Sequence, residues 1–344
     1  MEFSSNFSGL SNLGNTCYLA SSIQCFLHIP RIFSYFSSFS TTDPEKFQNP
    51  TFSSLMELFR ALTSKGPVEN KMFEAFFLNF QGFCDGSQQD AQEFLKLLLE
   101  KIHNFTNKGD PKLPYKESKY QMNKDDTIQQ KMSWALLRER DNSIITETFC
   151  GQLASSLICE SCKNQNKTFE DFWDISLSFR DTSHKFDMNN KKKAYFLGEM
   201  IENFLKSEEI NDRKCAKCPH NKAKKNLEIT RFPNILILHL KRFYYKELRK
   251  EKLSYFVKFP LKKLNFSRSK GVGKIVNTSY SLIAIIHHLG DLEHGHYYAE
   301  CQDPENKGWF QCNDEKVDFI EKEEEECSKK GSDTAYILFY EKNK

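Results

Sequence analysis

The chain has 344 residues, 39% of them hydrophobic, with 31 Phe, which is enough apolar material for one large core or two ordinary ones and too much for a disordered chain. The formal net charge is only +3, and no Lys/Arg stripe interleaves with aromatics, so nucleic acid is not an expected partner. Apolar runs such as Ile235 to Leu238 are far too short to span a bilayer, and MEFSSNFSGL lacks the basic and apolar regions of a secretory leader, so no membrane partner is expected.

The first 105 or so residues read as mainly helical, with apolar periodicity at Tyr18 to Phe36, Phe52 to Leu62 and Ala91 to His103. Ser87 or Asp90 is placed to cap the last of these, and its early acidic residues suit a helix N-terminus. Residues 106 to 126 are polar, with Gly and two Pro, and predict a loop. From about 144 the pattern changes to short strands, at 145 to 159 and 169 to 179. Residues 180 to 194 read as an exposed insertion and 195 to 206 as a short helix. The last third is strand-rich, at 234 to 243, 280 to 289, 295 to 301 and 334 to 340. The acidic run 321 to 326 reads as a solvated loop or helix face. The basic cluster Lys241, Arg242, Lys246, Arg249, Lys250 and Lys252 reads as a solvated face or strand end. There is no internal repeat. Helices followed by sheet in one continuous body predict an α+β protein.

A cytosolic or nuclear compartment keeps thiols reduced, so the 11 Cys are expected in the core, on metal or in chemistry. Cys159 and Cys162 form one CxxC pair, and Cys215 and Cys218 a second. Each knuckle aims two thiolates at one centre, and together they predict a closed tetrahedral zinc site with a structural role. His220 is close by in sequence and reads as a bystander.

Cys17 follows a Gly-Asn-Thr turn and opens an amphipathic run. With Thr16 as cap, the backbone N–H groups there would favour a thiolate. A thiolate needs an imidazole within reach, drawn from far away in sequence. Of nine His, His296 is the best placed, after Gly295 at the head of a strand and beside the loop LGDLEHG. His239, on an apolar strand, reads as a satisfied core residue. Asn313 or Asp314, at the end of the next strand, can orient the ring. The Cys17 N–H and either Asn12 or Asn15 can serve a developing oxyanion.

The segment GLSNLGNTCYLASSIQ resembles the Cys box of the ubiquitin-specific proteases, and GSQQDAQEFLKLLL their internal Gln-Asp-Glu-Phe block. GQLASSLICESCKN and FPNILILHLKRF are similar to the zinc-knuckle strands, and YSLIAIIHHLGDLEHGHYYAE with WFQCNDEKV to the His box. The blocks occur in family order from residue 9 to 340. The resemblance implies a papain-like cysteine protease fold in a single catalytic domain, with a helical thumb at about 1–143, zinc-bearing fingers at about 144–232 and a palm at about 233–344. It implies a thiol hydrolase acting after the C-terminal glycine of ubiquitin, with Cys17 as nucleophile, His296 as base, Asn313 or Asp314 as orienter and Asn12 as oxyanion donor. Asp90, Glu93 and Gln88 would meet the ubiquitin tail. Ubiquitin and an activating scaffold protein are the implied partners. The alternatives are a ubiquitin-binding module with low turnover and a protease for another ubiquitin-like modifier. Two departures from the family pattern are Ala20, where relatives usually carry Asn, and Asn313, where many carry Asp.

Overall fold

The computed structural model describes residues 7–39, 49–64, 66–113, 125–179, 194–246, 249–266, 270–271, 274–275, 278–291, 294–305, 307–321 and 332–344. The expected insertion at 180 to 194 and the acidic run lie almost wholly outside this set, as does much of the expected loop after 106.

The first part is helical. It comprises α1 (Cys17–Leu27), α2 (Pro30–Ser37), α3 (Pro50–Leu62), α4 (Asn70–Phe77), α5 (Ala91–Thr106), α6 (Asp126–Arg140) and α7 (Ile144–Phe149). The stretch expected as one helix from Tyr18 to Phe36 is two. Pro30 has no N–H to continue the first helix and instead opens the second. Side-chain caps fix the starts of α3, α5 and α7. Asn49 accepts from Phe52 N at 3.0 Å, Asp90 from Gln92 N at 2.7 Å and Ser143 from Thr146 N at 3.0 Å. The last cap corrects the strand expected from 145, because Ser143 turns residues 144 to 149 into α7 before the chain extends.

The strands are β1 (Gly151–Cys159), β2 (Gln165–Phe172), β3 (Asp174–Leu177) and β4 (Ala194–Phe196), then, after α8 (Leu197–Phe204), β5 (Glu208–Ile210), β6 (Ala223–Arg231), β7 (Ile235–Leu240), β8 (Phe243–Lys246), β9 (Arg249–Lys252), β10 (Phe256–Lys258) and β11 (Leu264–Asn265). The final group is β12 (Lys270–Gly271), β13 (Lys274–Ile275), β14 (Ser279–Gly290), β15 (Gly295–Gln302), β16 (Trp309–Asn313), β17 (Lys316–Ile320) and β18 (Ala335–Lys342). One sheet has the order β2-β1-β6-β5. The larger runs β17-β16-β15-β14-β18-β7-β3, with β11 beside β14, and is antiparallel except for the β3–β7 pair.

The larger sheet is buried on both faces around β7, whose six residues are all buried. Alternation divides them. Ile235 and Ile237 join the core under α1, α3 and α5, while Leu236, Leu238 and Leu240 join a second core with α8. α1 is buried along its whole length and lies against β15. The helix that carries Cys17 is thereby seated on the strand that carries His296.

One correction concerns charge. Arg242, expected on a solvated face, is fully buried. Its guanidinium donates to the carbonyls of Ala335, Leu253, Tyr255 and Ser332 at 2.7 to 3.2 Å. A buried guanidinium is tolerable because its donors are met. Lys252 is half-buried and donates to the His288 and Gly290 carbonyls, both at 2.8 Å, while Lys241 is exposed as expected. The side chains of Lys246, Arg249 and Lys250 lie outside the described set.

Candidate active site

The turn before α1 is built on two left-handed residues, Gly14 at φ 99° and Asn15 at φ 53°. Asn12 Oδ1 holds this turn by accepting from Gly14 N at 3.1 Å and Thr16 N at 3.2 Å. The helix starts at Cys17 as expected, but Thr16 makes no side-chain cap. Its hydroxyl oxygen is taken by Leu13 N at 2.9 Å, upstream of the helix, which removes it from the orphan N–H groups of α1. The Cys17 thiol sits at that helix start, 1% exposed.

His296 enters from β15. Its Nε2 lies 2.7 Å from Asn313 Oδ1, so that nitrogen carries the proton and donates it, leaving Nδ1 for Cys17. A hydrogen bond with Cys17 pushes the imidazole up to about 9 against the effect of partial burial, and Asn313 and Asp314 add to the rise. The ring is therefore an imidazolium at neutral pH.

Asn313 ends β16 and Asp314 turns the chain at φ 50°. Asp314 Oδ2 accepts from Asn12 Nδ2 at 3.3 Å, and its carbonyl accepts from Leu10 N at 2.9 Å. A Cβ at Gly9 would stand 2.2 Å from the Glu315 carbonyl oxygen. The Cys17 turn and the Asn313–Asp314 turn are thus strapped together, and only glycine fits between them. Of the two orienters left open by the sequence, Asn313 touches the ring, while Asp314 faces Asn12.

Gln88 closes the site from the loop before α5. Its Nε2 donates to Asn15 Oδ1 at 2.9 Å and to the Gly295 carbonyl at 3.1 Å, and its Oε1 lies 3.9 Å from Cys17 Sγ. Asp90 caps α5 with one oxygen and accepts from the Tyr336 hydroxyl with the other, at 2.6 Å. Asp90, Glu93 and Gln88 border a cleft of about 420 Å³, walled by Phe243, Tyr297 and Tyr336. His239 and His288 also reach this cleft, and burial lowers both to about 3, so both are neutral. The expectation of a satisfied core histidine fits one nitrogen of His239, which meets Ser176 Oγ at 2.9 Å. Sequence reasoning missed Tyr336 and the Gln88–Gly295 bond. The bond spans 207 positions, so no local pattern carries it.

At the tip of the smaller sheet, Cys159 ends β1, and Cys215 and Cys218 lie between β5 and β6. The four sulfurs of Cys159, Cys162, Cys215 and Cys218 lie within 4.8 Å of one another and could hold a metal ion. The pairing is crossed. Cys159 faces Cys218 and Cys162 faces Cys215, each at 3.6 Å. A tetrahedron with Zn–S of about 2.3 Å has edges of about 3.8 Å, so the cluster fits that ion. His220 is outside the cluster, with Nε2 4.0 Å from Glu160.

A thiol at a helix start, an imidazole and a carboxamide, carried on an α helix and two strands of an α+β fold, form the constellation of the cysteine-hydrolase class. The sequence pattern of "Ubiquitin carboxyl-terminal hydrolase" matches residues 8–340, and the chain belongs to that family. It is 33% identical to ubiquitin carboxyl-terminal hydrolase Usp2 of Drosophila melanogaster over 350 residues, covering 99% of this chain and 35% of that protein. It is 32% identical to ubiquitin carboxyl-terminal hydrolase 2 of Bos taurus, covering 97% and 54%. The chain thus spans between a third and about half the length of these relatives. Among solved structures it is similar to a chain of the yeast SAGA DUBm, with a TM-score of 0.74 and 28% identity, covering 100% of this chain and 70% of that one. It is similarly close to a chain of the SAGA DUB module Ubp8/Sgf11/Sus1/Sgf73 bound to monoubiquitin, with a TM-score of 0.74 and 26% identity, covering 100% and 71%. No helix among the described residues is long and apolar enough to cross a membrane.

Proposed function

We propose that the chain is a deubiquitinating thiol hydrolase that cleaves the bond after the C-terminal glycine of ubiquitin by way of a thioester on Cys17. The observation that carries this reading is the 2.7 Å bond from His296 to Asn313, together with the contact of His296 with Cys17. Family membership and a solved relative bound to monoubiquitin support the substrate.

In this reading the thiolate of Cys17 attacks the terminal glycine carbonyl while the imidazolium of His296 stands ready beside it. The Cys17 N–H, free in the first turn of α1, and the second amide hydrogen of Asn12 meet the oxyanion. His296 then protonates the leaving lysine amine, and the neutral ring activates water against the thioester. Asn313 fixes the ring through Nε2. Asp90 shapes the cleft through its two internal bonds, Glu93 offers an exposed carboxylate to Arg in the ubiquitin tail, and Gln88 lines the entrance.

One zinc on Cys159, Cys162, Cys215 and Cys218 supplies folding energy and, with its shell closed, no reactive position. Helical thumb, β1–β6 fingers and large-sheet palm are the corresponding parts, and a cytoplasmic or nuclear site of action follows the same reading. A partner-dependent form of this activity is favoured by one observation: Cys17 is 1% exposed, under Gln88. The solved relative carries Sgf11, Sus1 and Sgf73, and a scaffold that opens a path to Cys17 while Gln88 keeps its bonds to Asn15 and Gly295 is the comparable partner here.

The test is release of a fluorogenic amide from the C-terminus of ubiquitin by wild type and Cys17→Ala. Release by wild type alone supports the reading. Equal rates for both, or cleavage of another modifier in place of ubiquitin, overturn it.

A further inference from the structure

A second concave site lies at the other end of the large sheet. Asn234 and Lys342 border it, beyond the start of β7 and at the end of β18, whereas His239 and Tyr336 border the cleft at the opposite ends of the same strands. Five residues of strand separate the two, roughly 17 Å. The site is a pocket of about 570 Å³ where α2, α6, α7 and β6 converge on that sheet end.

Its charge is one-sided. Arg31, Arg138, Arg231 and Lys342 line it against one carboxylate, Glu147. Glu147 is already divided between two guanidiniums, Arg31 at 3.0 Å and Arg138 at 3.3 Å. Arg231 lies over the Trp134 ring, with Cζ 4.0 Å from its centroid. Among the described residues no carboxylate pairs with Arg231 or Lys342. Burial lowers the Arg231 guanidinium below its ordinary range, Cys150 opposes the shift, and neighbouring Arg138 adds to it. A solvated arginine carries no such penalty, so this cation is held against its ring with no carboxylate paired to it among the described residues. Asn234 adds an uncharged amide to the wall, with one of its hydrogens given to the Glu147 carbonyl at 2.8 Å.

We propose that this pocket binds a phosphoryl group, an oxyanion of two or more negative charges. The cations come from α2, α6, β6 and β18, so they approach from several sides, which suits a tetrahedral oxyanion better than a planar carboxylate. The Trp134–Arg231 stack fixes the guanidinium plane, so little side-chain freedom is lost on binding. The group is borne either by a phosphorylated peptide or by a free phosphate compound, and the remoteness of the pocket makes it independent of the thiol chemistry.

The experiment is calorimetric titration of the full chain with inorganic pyrophosphate and, separately, with a short phosphoserine peptide and its unphosphorylated twin. Wild type should bind at least one phosphate probe. Arg231→Gln with Lys342→Gln should weaken that binding by at least about tenfold, the equivalent of one charge-assisted hydrogen bond. Higher salt should weaken it as well. Tighter binding of the phosphopeptide than of pyrophosphate assigns a protein-borne group, and the reverse order a free one. The proposal is overturned if neither phosphate probe binds at millimolar concentration, if the peptide binds equally without its phosphate, or if the double variant, folded by its melting curve, binds as wild type does. Ubiquitin-amide hydrolysis by the double variant should equal that of wild type, which separates this result from the one that tests Cys17.

Discussion

Gln88 donates to the carbonyl of Gly295, the residue that precedes His296, at 3.1 Å. The same amide nitrogen holds Asn15, two residues before Cys17. One side chain therefore sets the spacing of thiol and imidazole from outside both. Gln88→Ala should lower kcat for ubiquitin-amide hydrolysis by about tenfold, since the two hydrogen bonds lost, one half-buried and one exposed, are together worth about 1–2 kcal/mol that enters the barrier directly. A kcat unchanged within twofold would show that the tie is dispensable.

Asn313 and Asp314 should separate in a pH profile. His296 at about 9 predicts that kcat/KM falls on the alkaline side as the imidazolium loses its proton. Asn313→Ala removes the Nε2 partner, so the alkaline limb should move to lower pH and kcat should drop about a hundredfold, as when an oriented base is released. Asp314→Asn should move the limb less, because Asp314 acts on the ring only through space. An equal shift from both variants would put the orienting role on the pair.

The cysteine cluster should act on stability and leave the chemistry alone. Chelation, or Cys162→Ser, should loosen the β1–β6 end of the small sheet and lower the melting temperature, because structural zinc contributes folding energy, about 10 kcal/mol or more in small domains. Metal analysis should find about one zinc per chain in the wild type. An unchanged melting curve after complete chelation would count against a structural metal.

Acid should destabilise the fold through histidines held neutral. His28 is buried, stacked on Phe7 with ring centroids 3.7 Å apart, and donates from Nδ1 to the Gln24 carbonyl at 2.7 Å. Burial lowers it to about 4, although the Gln24 carbonyl and Asp303 oppose the shift. The unfolded chain binds this proton near pH 6.5, so between about 6.5 and 4 it holds more protons than the native one, and native stability falls as pH falls. From pH 7 to 5 the loss should be on the order of 2 kcal/mol for His28 alone, read by urea unfolding. His239 and His288, both lowered to about 3, should steepen the slope. A flat profile over that range would contradict the burial effect.

What could be read along the chain was whatever local pattern encodes. Apolar runs marked β7, β14, β15 and β18, and CxxC spacing marked the metal cluster. Cys17 and His296 stood out because each sits beside a glycine-bearing turn. Other features depend on partners remote in sequence. Arg242 looks like any surface arginine until four carbonyls, up to 93 residues away, enclose it. The Thr16 hydroxyl was expected to face forward into α1, but Leu13 N, three residues back, competes for it. Helix α6 has few buried residues and little apolar periodicity, so nothing in its pattern separated it from the loop before it.

The crossed sulfur pairing joins residues 53 and 59 positions apart at the outer end of a sheet whose inner end is pinned by Thr230 bonding to Gln152. A chain clasped at both ends in this way is indifferent to how much sequence runs between its clasps, since the entropy of closing a loop grows only with the logarithm of its length. The connections between elements from Cys162 to Cys215 are therefore where this protein can accept an added segment while β1 and β6 keep their register, whereas β3 and α8 are held by the large sheet and the second core.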